Sequence, residues 1–163
     1  MKQFKTTEKV LNGNRYFIRP FPAFVSANLS GEISAIILPV LSSAMQRLPD
    51  AVKNGNESIL DVDVSVVAPA LSNGLSSLSG DKVEALLKKI LINHNNISVQ
   101  LEGERDAKAL TEDLANELFC EDVQDMFVLA WEVIRVNYAG FFKKLGSLSG
   151  GVLDAFLQKA NPS

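Results

Sequence analysis

The chain holds one cysteine, Cys120, one histidine, His94, and few aromatic residues, 7% of 163. A single cysteine excludes an intrachain disulfide and fits a reducing compartment. One cysteine and one histidine fall well short of the roughly four Cys/His ligands of a structural zinc site, so no zinc is expected. Asp61-Val62-Asp63-Val64-Ser65 copies the opening of a calcium loop, but Val66 stands where that loop needs glycine. No glycine-rich phosphate cradle occurs, and no cofactor is expected. Cys120 and His94 could form a nucleophile pair in principle. No third group or oxyanion loop accompanies them, so the plain reading is a loop histidine and a small apolar core residue. No catalytic residue is assigned, and the chain does not read as an enzyme. Net charge is −3, too mild for a nucleic-acid or anionic-membrane binder. MKQFKTTEKV lacks the apolar stretch of a signal peptide, and the longest apolar runs fall far below a membrane span. These features predict a cytoplasmic protein.

Against these shortages stands a surplus of aliphatic residues, with 47% of the chain hydrophobic. The length suits one domain with a substantial core. The densest apolar stretch runs from Asp122 to Leu145. Val123, Phe127, Ala130, Ile134, Tyr138, Phe141 and Leu145 recur at helical spacing, and Met126, Leu129, Val133 and Val136 widen the stripe. Asp125, Glu132, Arg135 and Lys143 form the narrow polar strip, expected to face solvent. A helix this apolar is packed on most sides, so the rest of the chain should assemble around it.

Asn12-Gly13 lies between two β-prone runs and supplies the positive φ angles of a tight hairpin turn. Strands are expected near Glu8–Leu11 and Asn14–Arg19, with Tyr16 and Ile18 toward the core and Arg15 and Arg19 away from it. Pro20-Phe21-Pro22 forces an extended exit. Helical pattern follows from Ala23 to Leu48, with Ser30 and Glu32 suited to a second start and Pro39 expected to kink or split the helix near Leu38. Pro49–Glu57 reads as a loop. Ser58–Leu78 fits a helix with a kink at Pro69, although Leu60 to Val66 also alternate as a strand would. Asp81 with Glu84 should cap a helix over Lys82–Ile92. Ile97–Leu101 alternates as a third strand able to pair with the hairpin. Thr111 followed by Glu112 and Asp113 should open a short helix reaching Phe119. The fold class expected is therefore predominantly α-helical α+β, a helical core with a small N-terminal antiparallel hairpin. Residues 1–145 should form the compact unit, and 146–163, opening with GSLSGG, a flexible joint and tail.

Tyr138, Phe141, Phe142 and Leu145 are the candidate partner-binding residues. Core packing accounts for them most simply. However, Phe141 and Phe142 point about 100° apart on a helix, so one of the pair can face outward beside the joint.

NGNRYFIRPFPAF (Asn12–Phe24), ALTEDLANELF (Ala109–Phe119) and DMFVLAWEVIRVNYAGFFKKL (Asp125–Leu145) resemble, in their order and content, the tail assembly chaperones of long-tailed bacteriophages and prophages. The resemblance covers most of the chain and rests on fold motifs. It implies a small, mainly helical protein that binds the long tape measure protein, keeps it soluble while the tail tube polymerises, and is absent from the mature virion. It implies no catalytic residues. In several such families a ribosomal frameshift yields a longer form whose extra domain contacts the tail tube protein. Gln158-Lys159, encodable by a slippery adenine run, makes such a form conceivable here. Self-association through the Phe141–Phe142 end is also expected. A structural subunit of the tail or head–tail joint, and a helical interaction domain of unrelated role, are the alternative readings.

Overall fold

The computed structural model describes residues 5–44 and 78–140. Their order is β1 (Thr7–Leu11), β2 (Asn14–Ile18), α1 (Ala23–Ala44), α2 (Gly80–Leu91), β3 (Ile97–Gln100), β4 (Lys108–Ala109) and α3 (Glu112–Phe119). A last helix, α4, occupies 123–140 of the described chain. The strands form one antiparallel sheet in the order β1-β2-β3-β4. Helices outweigh it, which is the α+β class the sequence pattern predicts.

The Asn-Gly turn forms because its residues tolerate left-handed backbone: φ is +50° at Asn12 and +79° at Gly13. That turn sets the register, pairing Lys9 with Tyr16 and Thr7 with Ile18. Across β2, Tyr16 pairs with Val99 and Ile18 with Ile97, as expected for a third strand on the hairpin. Period-two alternation puts Tyr16, Ile18, Ile97 and Val99 on one face, and all four are buried. β4 is a strand the sequence does not reveal. Two residues are too short to show alternation, and both are exposed.

Helix α1 is unbroken from Ala23 to Ala44, so neither a second start at Ser30 nor a split at Pro39 occurs. The Ser30 hydroxyl donates back to the Ala27 carbonyl at 2.7 Å, inside the helix. Proline costs one backbone bond, while Leu29 and Ile33 of the same helix are buried in the core. Packing along the helix outweighs the local penalty. The Ser58–Leu78 pattern falls, apart from Leu78, outside the described residues. α2 begins at Gly80, ahead of the expected Lys82. Ser79 holds the cap position without a side-chain bond, and Asp81 sits in the first turn rather than capping. α3 starts as expected, with Thr111 Oγ1 accepting from the Leu114 amide at 3.2 Å.

The polar strip of α4 is the main correction. Glu132 is 1% exposed, not solvated. In the register above, Lys9 shares the inward face with Tyr16, and its ammonium reaches Glu132 at 3.3 Å. Arg135 Nη2 donates to the other carboxylate oxygen at 2.6 Å. One turn pair earlier on the same face, Asp125 accepts from Asn12 Nδ2. Thus Asp125 and Glu132 do share a polar strip, but the hairpin lies over it. An inward lysine on an edge strand also disfavours pairing with another chain.

The entry to α1 is fastened to α4 as well. The Phe21 amide donates to Asn137 Oδ1 at 2.7 Å, and the Tyr138 hydroxyl donates to the Ser26 carbonyl at 2.7 Å. Leu129, Trp131, Val133 and Ile134 fill the centre of the core.

Candidate functional site

The stripes of α2, α3 and α4 do not close completely on one another. Between them lies a surface groove of about 490 Å³. Val83 and Leu87 of α2, Ala115 of α3, and Val123, Met126 and Phe127 of α4 form its apolar floor and walls. The α2 and α4 sets recur at helical spacing, because a helix presents one face to a neighbouring trough. Val83, Leu87 and Phe127 also line a cavity of about 40 Å³ bounded by Trp131 and Ile134. The groove wall is therefore the outer layer of the core. Val123, at the mouth, is 49% exposed, a large apolar residue left in water.

The rim is charged. Lys88 Nζ lies 2.7 Å from Glu84 and 2.8 Å from Glu112, which joins α2 to α3 across the groove. The carboxylates of Glu112 and Glu84 hold the lysine charged and push its pKa well above the usual range. Contact with Lys88 in turn lowers the Glu84 carboxyl. One lysine shared by two carboxylates leaves the rim with surplus negative charge.

Of the candidate partner-binding residues, only Tyr138 lies in the described chain. It is buried, its hydroxyl is spent on Ser26, and burial raises its pKa. This is the packing role. Phe141, Phe142 and Leu145 lie outside the described residues. The groove itself escapes sequence reading. Its residues carry the same apolar periodicity as true core, and only the spacing between helices separates a covered stripe from an uncovered one. The signal that hints at it is Val123 beside the acids Glu121 and Asp122, at the polar start of a helix.

Cys120 is not the core residue its type suggests. It is exposed at the end of α3, with Sγ 3.5 Å from the Glu117 carbonyl. The His94 ring packs edge-on against Phe21, with centroids 5.6 Å apart. Among the described residues, no three His, Cys, Asp or Glu side chains are grouped to hold a metal ion. No helix of the described chain is long and apolar enough to cross a membrane.

A family model described as phage tail assembly chaperone protein, TAC, matches residues 12–150. No curated protein and no solved structure gives a match.

Proposed function

The chain belongs to the phage tail assembly chaperone family, and we propose that it binds the tape measure protein and keeps it soluble while the tail tube forms. The observation that carries this reading is the apolar groove that the described residues leave open between α2, α3 and α4. A chaperone of a long helical protein needs apolar surface that its own fold leaves uncovered. Helix-in-groove recognition uses such a surface. The role is non-catalytic, played in the host cytoplasm and absent from the mature virion. Among the described residues, four short strands offer little sheet for a structural tail subunit.

A second contact belongs to the same proposal. Phe141, Phe142 and Leu145 would extend the binding surface or support self-association. A frameshifted longer form, joined through 146–163, would bring the tail tube protein to the same complex. Linking two binding units raises the effective concentration of the second.

The test is co-expression of the phage's tape measure protein with and without this chain. Soluble tape measure protein that co-purifies with the chain, and aggregates without it, supports the reading. Equal solubility in both cultures, with no co-purification, overturns it.

A further inference from the structure

The geometry points to the α2–α3–α4 groove as the seat of one amphipathic helix from a partner protein, with an apolar stripe flanked by lysine or arginine. This rests on the chaperone reading for the identity of the partner, and adds where and by what chemistry it is held. Three observations support it.

The first is shape. The lining residues of α2 run along its whole described length, Gly80 to Leu91. Twelve helical residues span about 18 Å, or roughly three turns. A trough of that length, walled by side chains three and four residues apart, accepts the ridges of another helix. An extended strand has no sheet edge to join there, because none of the lining residues belongs to a strand. The second is chemistry of the floor. Val83, Leu87, Met126 and Phe127 suit aliphatic anchors at i, i+3, i+4 and i+7, and methionine adapts to varied partners.

The third is charge. Lys88 is already neutralised by Glu84 and Glu112. The rim therefore keeps unmatched carboxylate, and three further exposed acids, Asp81, Glu121 and Asp122, against one exposed lysine, Lys82, adjoin the lining residues Gly80, Val83 and Val123 in sequence. An acid-flanked helix would meet like charge on both sides, while a base-flanked one would meet complementary charge. This selects the partner's flanks.

The test uses two synthetic amphipathic peptides of about 14 residues, four turns each, with the same leucine stripe. One carries lysine on both flanks, the other glutamate. Calorimetric titration of the full chain should show the lysine peptide binding at least about tenfold tighter. Val123→Lys puts a charge at the mouth, of the same sign as the peptide's flanks, and should weaken the lysine peptide by about tenfold or more. Val123 is half-exposed, so the variant should keep its melting temperature. Glu84→Lys, at a more exposed site, is a second variant and should abolish the preference for lysine flanks. Equal binding of the two peptides, or full binding by Val123→Lys, overturns the proposal. So does failure of the lysine peptide to bind, as would follow if residues 45–77 or 141–163 of the chain itself filled the groove. A dimer that Val123→Lys dissociates would assign the groove to a second copy, and overturns it too. Co-purification of the tape measure protein separates the two readings. If Val123→Lys retains it as wild type does, the groove proposal falls and the chaperone role stands. If wild type captures none, the chaperone role falls and the peptides alone decide the groove.

Discussion

Glu132→Ala tests the packing of the hairpin on α4. The carboxylate is 1% exposed and accepts from Arg135 at 2.6 Å and from Lys9 at 3.3 Å. Removing one member of a fully buried ion pair costs about 3–5 kcal/mol, because the other charge is left stranded. Here the partners are not fully stranded. The side chains of Lys9 and Arg135 are 29% and 43% exposed, so water can take over their solvation. The loss is then nearer that of charged hydrogen bonds, about 1.5–3 kcal/mol, plus a small cavity. A loss of about 2–3 kcal/mol should lower the melting temperature by about 4–12 °C in a domain of this size. Urea unfolding followed by circular dichroism measures it directly. Replacing both partners, Lys9→Met with Glu132→Leu, should return stability to within about 1 kcal/mol of wild type, since matched apolar groups can substitute for a buried pair. A loss under about 0.5 kcal/mol for Glu132→Ala is what a solvated surface charge gives. That result would mean β1 does not lie over this face of α4.

Ile134→Ala, in the centre of the core, should cost about 2–5 kcal/mol, read from the same unfolding curves. Asp125→Asn should raise the melting temperature near neutral pH. Burial, with repulsion from Asp122 second, raises the Asp125 pKa in the folded state above its unfolded value. The ionised carboxylate is therefore a cost present above the folded pKa and relieved as pH falls through it, so the gain should shrink in acid. Calorimetry at both ends of the carboxyl range checks this, and a gain that grows in acid would refute it. Thr111→Ala removes the cap on α3 and should cost about 1 kcal/mol by chemical denaturation.

Much of the backbone is legible in the residues themselves. Asn12-Gly13 permits one kind of turn, and that turn sets the register that buries Tyr16 and Ile18. Ile97 and Val99 alternate, and Thr111 caps, because these preferences act over a few neighbouring residues. Composition likewise disfavours a zinc site or a disulfide without any coordinates. The tertiary structure decides which face each element covers. Glu132 and Asp125 carry the same local signal as any solvated acid, yet β1 lies across them, because Lys9 falls on the inward side of the hairpin. Tyr138 at the end of α4 is claimed by Ser26 of α1, more than a hundred residues away in the chain. α1 runs through Pro39 because packing of its buried residues outweighs one lost bond. The groove follows the same rule. Val83, Leu87, Val123 and Met126 have the periodicity of core residues, and among the described residues nothing closes over them between the three helices. Local rules act within a few residues, while burial depends on elements far apart in sequence, so the first is written in the pattern and the second only in the packing.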